Sequence, residues 1–314
     1  VVLTDHPTAH THATGPGRRW RWRWRWRSLC IALSLAAMAG AAQAERLATR
    51  WSTDAVFKAP ESVLPDPVGQ RLFVSNIDGA PNDKDGKGFI SLLGADGRLV
   101  ALDWVAGLHA PKGMALVGRR LFVADVDRLV EIDADSGAVL ARHPAPGAVF
   151  LNDVVADASG RVYVSDLVTN RIYRHAGGET TVWLDSPELA NPNGLAIRGD
   201  TLFVACWGVM DPADFSTRVP GHVKTVSLRT QAIADYGSDT PIGNLDGIEP
   251  MPDGSVLVTD WMAGGLMRVS PAGEVIRIDA LAPGSADLGL SADGRTVFIP
   301  MMKDGVVRAF MLEP

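Results

Sequence analysis

The chain has 314 residues, 46% hydrophobic and 21% charged, with a formal net charge of −6. This is ordinary globular composition, which excludes a collagen-like or wholly disordered chain, and the acidic balance argues against nucleic acid as a partner. The 32 glycines and 20 prolines favour many turns and short strands over long helices.

In chain order, the first 17 residues are polar and without periodicity. An alternation of arginine and tryptophan, Arg18 to Arg27, then precedes the apolar stretch Leu29 to Gly40 and the small-residue triplet Ala42-Gln43-Ala44. Cationic, apolar and small-residue segments in that order predict a secretory signal peptide over residues 1–44. The apolar stretch is short for a bilayer span, so no membrane span is expected after cleavage. The mature protein is expected in the periplasm or outside the cell. Because residue 1 is valine, the natural start is expected further along. The leader carries six arginines and one aspartate against a whole-chain charge of −6, which leaves the mature chain near −11. Of the two cysteines, Cys30 lies in the leader, so Cys206 has no intramolecular partner and is expected to pack in the core.

Residues 45–314 contain one pattern six times: a polar residue, a short apolar strand, a turn, and a second apolar strand. The units open at Glu61, Lys112, Asn152, Asn193, Asp246 and Asp287. Aligned on Leu72, Leu121, Val162, Leu202, Val256 and Val297, they recur at steps of 49, 41, 40, 54 and 41 residues. Such steps suit a four-stranded blade of short strands. Asp96-Gly97, Ser159-Gly160, Asp253-Gly254 and Asp293-Gly294 supply hairpin turns. Third strands are predicted at 89–93, 129–133, 171–174, 223–227 and 266–270, and fourth strands at 181–184 and 275–278. The last unit ends at Val306 to Leu312 without a fourth strand. Segment 49–57 is expected to pair with it and close the ring, which removes two exposed sheet edges. The fold predicted is all-β, a six-bladed β-propeller over residues 45–314; five or seven blades are the alternative. No stretch carries a helical period.

The six opening residues are all polar. In a propeller this register gathers equivalent residues from every blade at one end of the axis, the default ligand site. Carboxylates and amide oxygens form a hard-oxygen set that suits Ca²⁺ or a similar cation. Without a cation, crowded carboxylates repel and their pKa values rise. The structural alternative is that Asn-Gly, Asp-Gly and Asn-Asp are common turn pairs.

Glu61, Asn152-Asp153, Pro192-Asn193-Gly194-Leu195-Ala196 and Leu245-Asp246-Gly247 resemble the senescence marker protein/gluconolactonase/luciferin-regenerating enzyme (regucalcin-like) family. That family is a six-bladed propeller of calcium- or zinc-dependent lactone hydrolases and related enzymes. The resemblance implies Glu61, Asn152, Asn193 and Asp246 as metal ligands, with Ca²⁺ expected and Zn²⁺ or Mn²⁺ as alternatives. It also implies Asp246 as the base that activates water. Two positions depart from the pattern. The family's sugar lactonases often place an arginine two residues before the third-unit asparagine, and here that residue is Phe150. The second unit puts Lys112 in the column, where an ammonium opposes a divalent cation. Lys112 is read as a counter-charge to Glu61 and Asp287 in a metal-free pocket, as pointing off axis, or as an oxyanion stabiliser.

Phe150, Lys112, Asp287, Trp207 and Trp261 are the expected substrate contacts; the two tryptophans follow equivalent strands. The Asp78 to Gly88 stretch lacks the carboxylates of a calcium loop and reads as a solvated long turn, able to lid the channel. His109, His143, His175 and His222 show no ligand spacing and read as surface or loop residues. No nucleophile elbow, phosphate loop or haem motif is present. The function expected is hydrolysis of a small, apolar lactone or ester. The alternative is a non-catalytic propeller that binds a small ligand or protein partner.

Overall fold

The computed structural model describes residues 45–313 except Pro212; the predicted leader lies outside the described residues. Six four-stranded antiparallel sheets form the six blades of a β-propeller, and among the described residues there is no α-helix. Blade 1 contains Pro60–Asp66, Arg71–Asn76, Gly88–Gly94 and Leu99–Leu108. Blade 2 contains Pro111–Val117, Arg120–Asp125, Arg128–Asp133 and Val139–Pro144. Blade 3 contains Leu151–Ala156, Val162–Asp166, Arg171–Ala176 and Glu179–Asp185. Blade 4 contains Pro192–Arg198, Thr201–Cys206, Val223–Ser227 and Ile233–Asp235. Blade 5 contains Leu245–Pro250, Val256–Asp260, Leu266–Val269 and Val275–Asp279. Blade 6 contains Gly289–Leu290, Thr296–Met301 and Val306–Glu313, joined by the N-terminal strand Arg46–Ser52.

Burial explains the strand composition. Second strands such as Arg71–Asn76 are covered on both faces by neighbouring blades, so they run apolar without alternation. Outer strands such as Val139–Pro144 alternate half-buried and exposed residues, because only one face meets a neighbour. The core therefore lies between blades: Phe73, Ile90 and Leu92 of blade 1 pack with Met114, Leu121 and Val130 of blade 2. Each such side chain contributes about 1.5–3 kcal/mol by leaving water.

The two longest repeat steps have visible causes. In blade 4 a small hairpin, Gly208–Met210 paired with Thr217–Pro220, is inserted between the second and third strands. In blade 1 the loop 77–87 separates the second and third strands.

First strands of successive blades lie side by side around the axis. The first and last meet through the Asp287 backbone N–H, which donates to the Glu61 carbonyl at 2.9 Å. Packing there is close. A Cβ on Gly194 would stand 2.0 Å from the Asp246 carbonyl oxygen, and one on Gly113 2.2 Å from Asp153 Oδ1. Glycine follows the polar residue in units 2, 4 and 5 because the neighbouring strand fills that space.

The N-terminal strand lies earlier than 49–57. It runs antiparallel to Val306–Glu313, from Arg46 opposite Glu313 to Ser52 opposite Arg308. Trp51 packs tilted on Phe298 at 5.9 Å. Residues beyond Ser52 instead connect to the first strand of blade 1.

The histidines correct the surface-or-loop reading. His143 and His175 sit in strands of blades 2 and 3 with ring centroids 4.2 Å apart. His175 is buried against Phe122 and the Thr180 hydroxyl, and His143 Nε2 lies 2.9 Å from Glu131. Cys206 is buried as expected, and burial pushes its thiol pKa up to about 12.

A chain beginning at Thr53 would leave the Val306–Glu313 edge unpaired. Urea unfolding is expected to show a lower midpoint than for a chain beginning at Glu45, with self-association on light scattering. An unchanged midpoint would mean that this pairing contributes nothing to stability.

A candidate active site at one mouth of the channel

Glu61, Lys112, Asn152, Asn193 and Asp246 line one cavity of about 510 Å³. Each opens or nearly opens an inner strand, at a bulge where the ladder to the second strand skips residues. The bulge turns these side chains towards the axis. All five are at least nine-tenths buried.

Asp287 does not belong to this tier. In blades 1, 3, 4 and 5 the residue after the second strand donates its N–H to a carbonyl two residues before the polar position: Ile77 to Ala59, Leu167 to Phe150, Trp207 to Asn191 and Trp261 to Asn244; in blade 6 Met302 donates to Gly284. By this register the sixth-blade equivalent is Ala286. Asp287 falls one residue further, beside Ser62, whose hydroxyl donates to Asp287 Oδ2 at 2.7 Å. Asp287 thus lines a different cavity of about 340 Å³, together with Ser62, Asp153 and Glu249. The repeat alignment is displaced by one residue there because blade 6 has only a two-residue inner strand.

The residues that follow the second strands form an apolar collar above the polar floor: Ile77, Leu167, Trp207, Trp261 and Met302. Trp207 and Trp261 lie 5.9 Å apart, as expected from their equivalent positions. Phe150 also lines the cavity, with the Lys112 ammonium 4.4 Å from its ring centre. That ammonium donates to the carbonyls of Pro81 at 2.7 Å and Ala110 at 2.9 Å. It forms no ion pair within 4.0 Å among the described residues, so it is not a direct counter-charge. Pro81 brings loop 77–87 to the cavity wall, so this loop is more than a solvated turn.

Sequence reasoning missed Asn191 and Asn244, two residues before Asn193 and Asp246. Asn191 Nδ2 donates to the Leu167 carbonyl at 2.6 Å, and Asn244 Nδ2 donates to the Trp207 carbonyl at 2.9 Å. They fix the collar over the floor. The available signal is an asparagine at the same offset in two successive units.

Electrostatics favour a cation. Burial, then the charges of Asp246 and Asp287, raise the Glu61 carboxyl well above the usual range, and Lys112 only partly opposes this. Burial and then Asp287 raise Asp246 as well. Burial raises Asp287 to about 7, and burial with Asp287 raises Glu249 to about 8. Glu61 Oε2 and Asn152 Oδ1 are buried with no hydrogen-bond partner. Such atoms cost about 1–3 kcal/mol each unless something meets them. Asn152 Nδ2 donates to Asn193 Oδ1, and Asn193 Nδ2 to the Leu245 carbonyl at 3.0 Å. Among the described residues, no three histidine, cysteine or acidic side chains could hold a metal by themselves. Two of the four residues in the set are asparagines, each with one amide oxygen, and its two orphan oxygens fit a hard cation.

No protein-family model matches the chain, and no curated protein matches it in sequence. Solved structures match it in fold. A gluconolactonase from Xanthomonas campestris superposes with TM-score 0.62 at 16% identity, over 86% of this chain and 95% of that one. A calcium-binding regucalcin from Agrobacterium tumefaciens gives 0.60 at 17%, over 82% and 92%. Virginiamycin B lyase from Staphylococcus aureus, in a variant inactivated at a histidine, gives 0.58 at 14%, over 86% and 100%. The six blades and the pocket on their axis are those of this chain, and the likeness to these proteins is one of fold. Its structural neighbours are gluconolactonases, regucalcin-like proteins and streptogramin B lyases.

The raised carboxyls imply a pH dependence of known sign. Asp287 and Glu249 stay protonated in the folded state to about pH 7 and 8, but ionise near 4 when unfolded. The folded state therefore binds more protons between about pH 4 and 8, and stability falls as pH rises through that range. Lys112, lowered to about 8 by burial, acts the other way above that pH. With chelator present, Tm is expected to fall from pH 5 to pH 8, and added Ca²⁺ is expected to restore most of it. A Tm that rises over that range in chelator would contradict the account.

Proposed function

We propose that the axial pocket hydrolyses a small lactone or ester bearing an apolar substituent. The observation that carries this is the stacking of two chemistries: an oxygen-rich floor with two orphan buried oxygens, under a collar of tryptophan, leucine, isoleucine and methionine. The fold likeness to gluconolactonase and regucalcin supports the reading.

Glu61, Asn152, Asn193 and Asp246 are the residues that would hold a divalent cation, Ca²⁺ being the one their hard oxygens suit best. A cation there would polarise the substrate carbonyl. Asp246 takes the proton of the attacking water. Burial and then Asp287 raise its carboxyl in the absence of a cation; a cation held beside it would oppose that rise and keep Asp246 ionised, as a general base requires. The collar excludes bulk water and holds the apolar part of the substrate. Phe150 replaces a polar contact with a flat apolar face, which disfavours a sugar acid. Lys112, held by Pro81, Ala110 and Phe150, sets the positive edge of the floor and is poised to stabilise a developing oxyanion.

The non-catalytic alternative rests on Lys112 neutralising the carboxylates. Its ammonium forms no ion pair with them within 4.0 Å among the described residues, which favours the enzyme. Lyase chemistry of the kind lost with a histidine is disfavoured because no histidine lines the cavity among the described residues. A leader over residues 1–44 would place the activity in the periplasm or outside the cell.

Asp246→Asn is expected to lower kcat by about 10²–10⁴-fold while the far-ultraviolet spectrum stays unchanged. Chelator is expected to abolish turnover, and elemental analysis to find about one divalent ion per chain. Turnover by the Asp246→Asn variant equal to that of the parent, or indifference to chelator, would remove the mechanism.

A further inference from the structure

The hairpin inserted in blade 4 places one bulky residue in a backbone conformation that bulky residues avoid. Phe215, at its tip, has φ of +58°. That region is uncommon for residues other than glycine, asparagine and aspartate, and persists only where surrounding contacts impose it. Hydrogen bonds hold the turn: Phe215 N–H to the Asp211 carbonyl, and Asp211 N–H to the Ser216 carbonyl, both 2.8 Å. The result turns the ring inward to line the cavity, 5.6 Å from Phe150.

Next to its tip, where Thr217 pairs with Met210, the hairpin is latched to the collar and to the segment leading to Asp246. The Thr217 hydroxyl accepts from Trp207 Nε1 at 3.1 Å and from Asn244 Nδ2 at 2.6 Å. Asn244 lies two residues before Asp246. One hydroxyl thus joins the hairpin, the collar and the strand that carries the proposed base. Among the described residues, no other blade carries a hairpin between its second and third strands.

We propose that this hairpin determines specificity: Phe215 and Phe150 form an aromatic cleft that takes the alkyl or aryl substituent of the lactone or ester. This rests on the hydrolase reading above, and Thr217 is a positioning residue. The pocket then selects substrates by the length of an apolar chain next to the reacting carbonyl. Selectivity of this kind gains up to about fourfold in affinity for each buried methylene.

The experiment uses two series on the purified chain. KM and kcat are measured for γ-lactones with alkyl chains of one to seven carbons. Calorimetry measures binding of 2-alkylcyclopentanones of the same lengths, which cannot hydrolyse. For the parent, KM and Kd are expected to fall with chain length, by about twofold to fourfold per methylene over the first several carbons. Phe215→Ala is expected to flatten both slopes, and Phe215→Leu to keep most of them. Phe215→Gly suits the positive φ and is expected to hold or raise Tm while it flattens the slopes. Thr217→Val is expected to weaken the slope without abolishing it. Slopes unchanged in Phe215→Gly, or no chain-length dependence in the parent ketone series, would overturn the inference. Chain-length-dependent ketone binding without lactone turnover would leave the cleft standing and overturn only the hydrolase reading.

Discussion

Everything at the axis follows from crowding. Six inner strands converge until a single methyl group on Gly113 or Gly194 would collide with the next blade. Only short or axial side chains fit, and those present are mostly carboxyls and amides. In so small a volume, Glu61, Asp153, Asp246, Asp287 and Glu249 share one lysine among them, and all five are raised in pKa by burial before any neighbouring charge acts. The channel is built as a place where negative charge is costly until a cation or a proton relieves it.

The axis divides into two tiers because the bulge in each inner strand points successive residues to different levels. The upper tier carries the mixed oxygen set and opens under the apolar collar. The lower tier carries Ser62, Asp153 and Asp287 and opens at the other mouth. Lys112 belongs to the upper tier by backbone position, yet its long stem takes its charge outward to loop 77–87 and the face of Phe150. A lysine can occupy a column of ligands without pairing directly with them, because four methylenes separate its ammonium from its backbone.

Around this axis, variation is confined to connections. Loop 77–87 and the blade 4 hairpin are the two long insertions, and both reach the same cavity. Blades supply a rigid floor, and loops supply the walls that set what fits above it. The asparagines at 191 and 244 tie the two together through collar carbonyls.

The sheet repeat is legible in the sequence because each blade needs the same apolar run, turn and second run, and a period of about 45 residues survives insertion. Strand positions match closely wherever both faces are buried, since burial imposes an unbroken apolar run. The N-terminal strand lies several residues before its expected place, because its half-exposed residues carry a weak pattern. The upper-tier residues are also legible in five units, where a polar side chain stands second in the inner strand.

What the sequence alone determined is the set of local patterns: six units, their turns, and the polar residue that heads five of them. Tertiary structure alone decided that Ala286 rather than Asp287 completes the upper ring, that the Lys112 ammonium settles on the carbonyls of Pro81 and Ala110, and that His175 is buried between blades. It also decided that Phe215 faces Phe150. These depend on which atoms approach from other blades, and contacts between segments 41 to 225 residues apart leave no local periodicity to read.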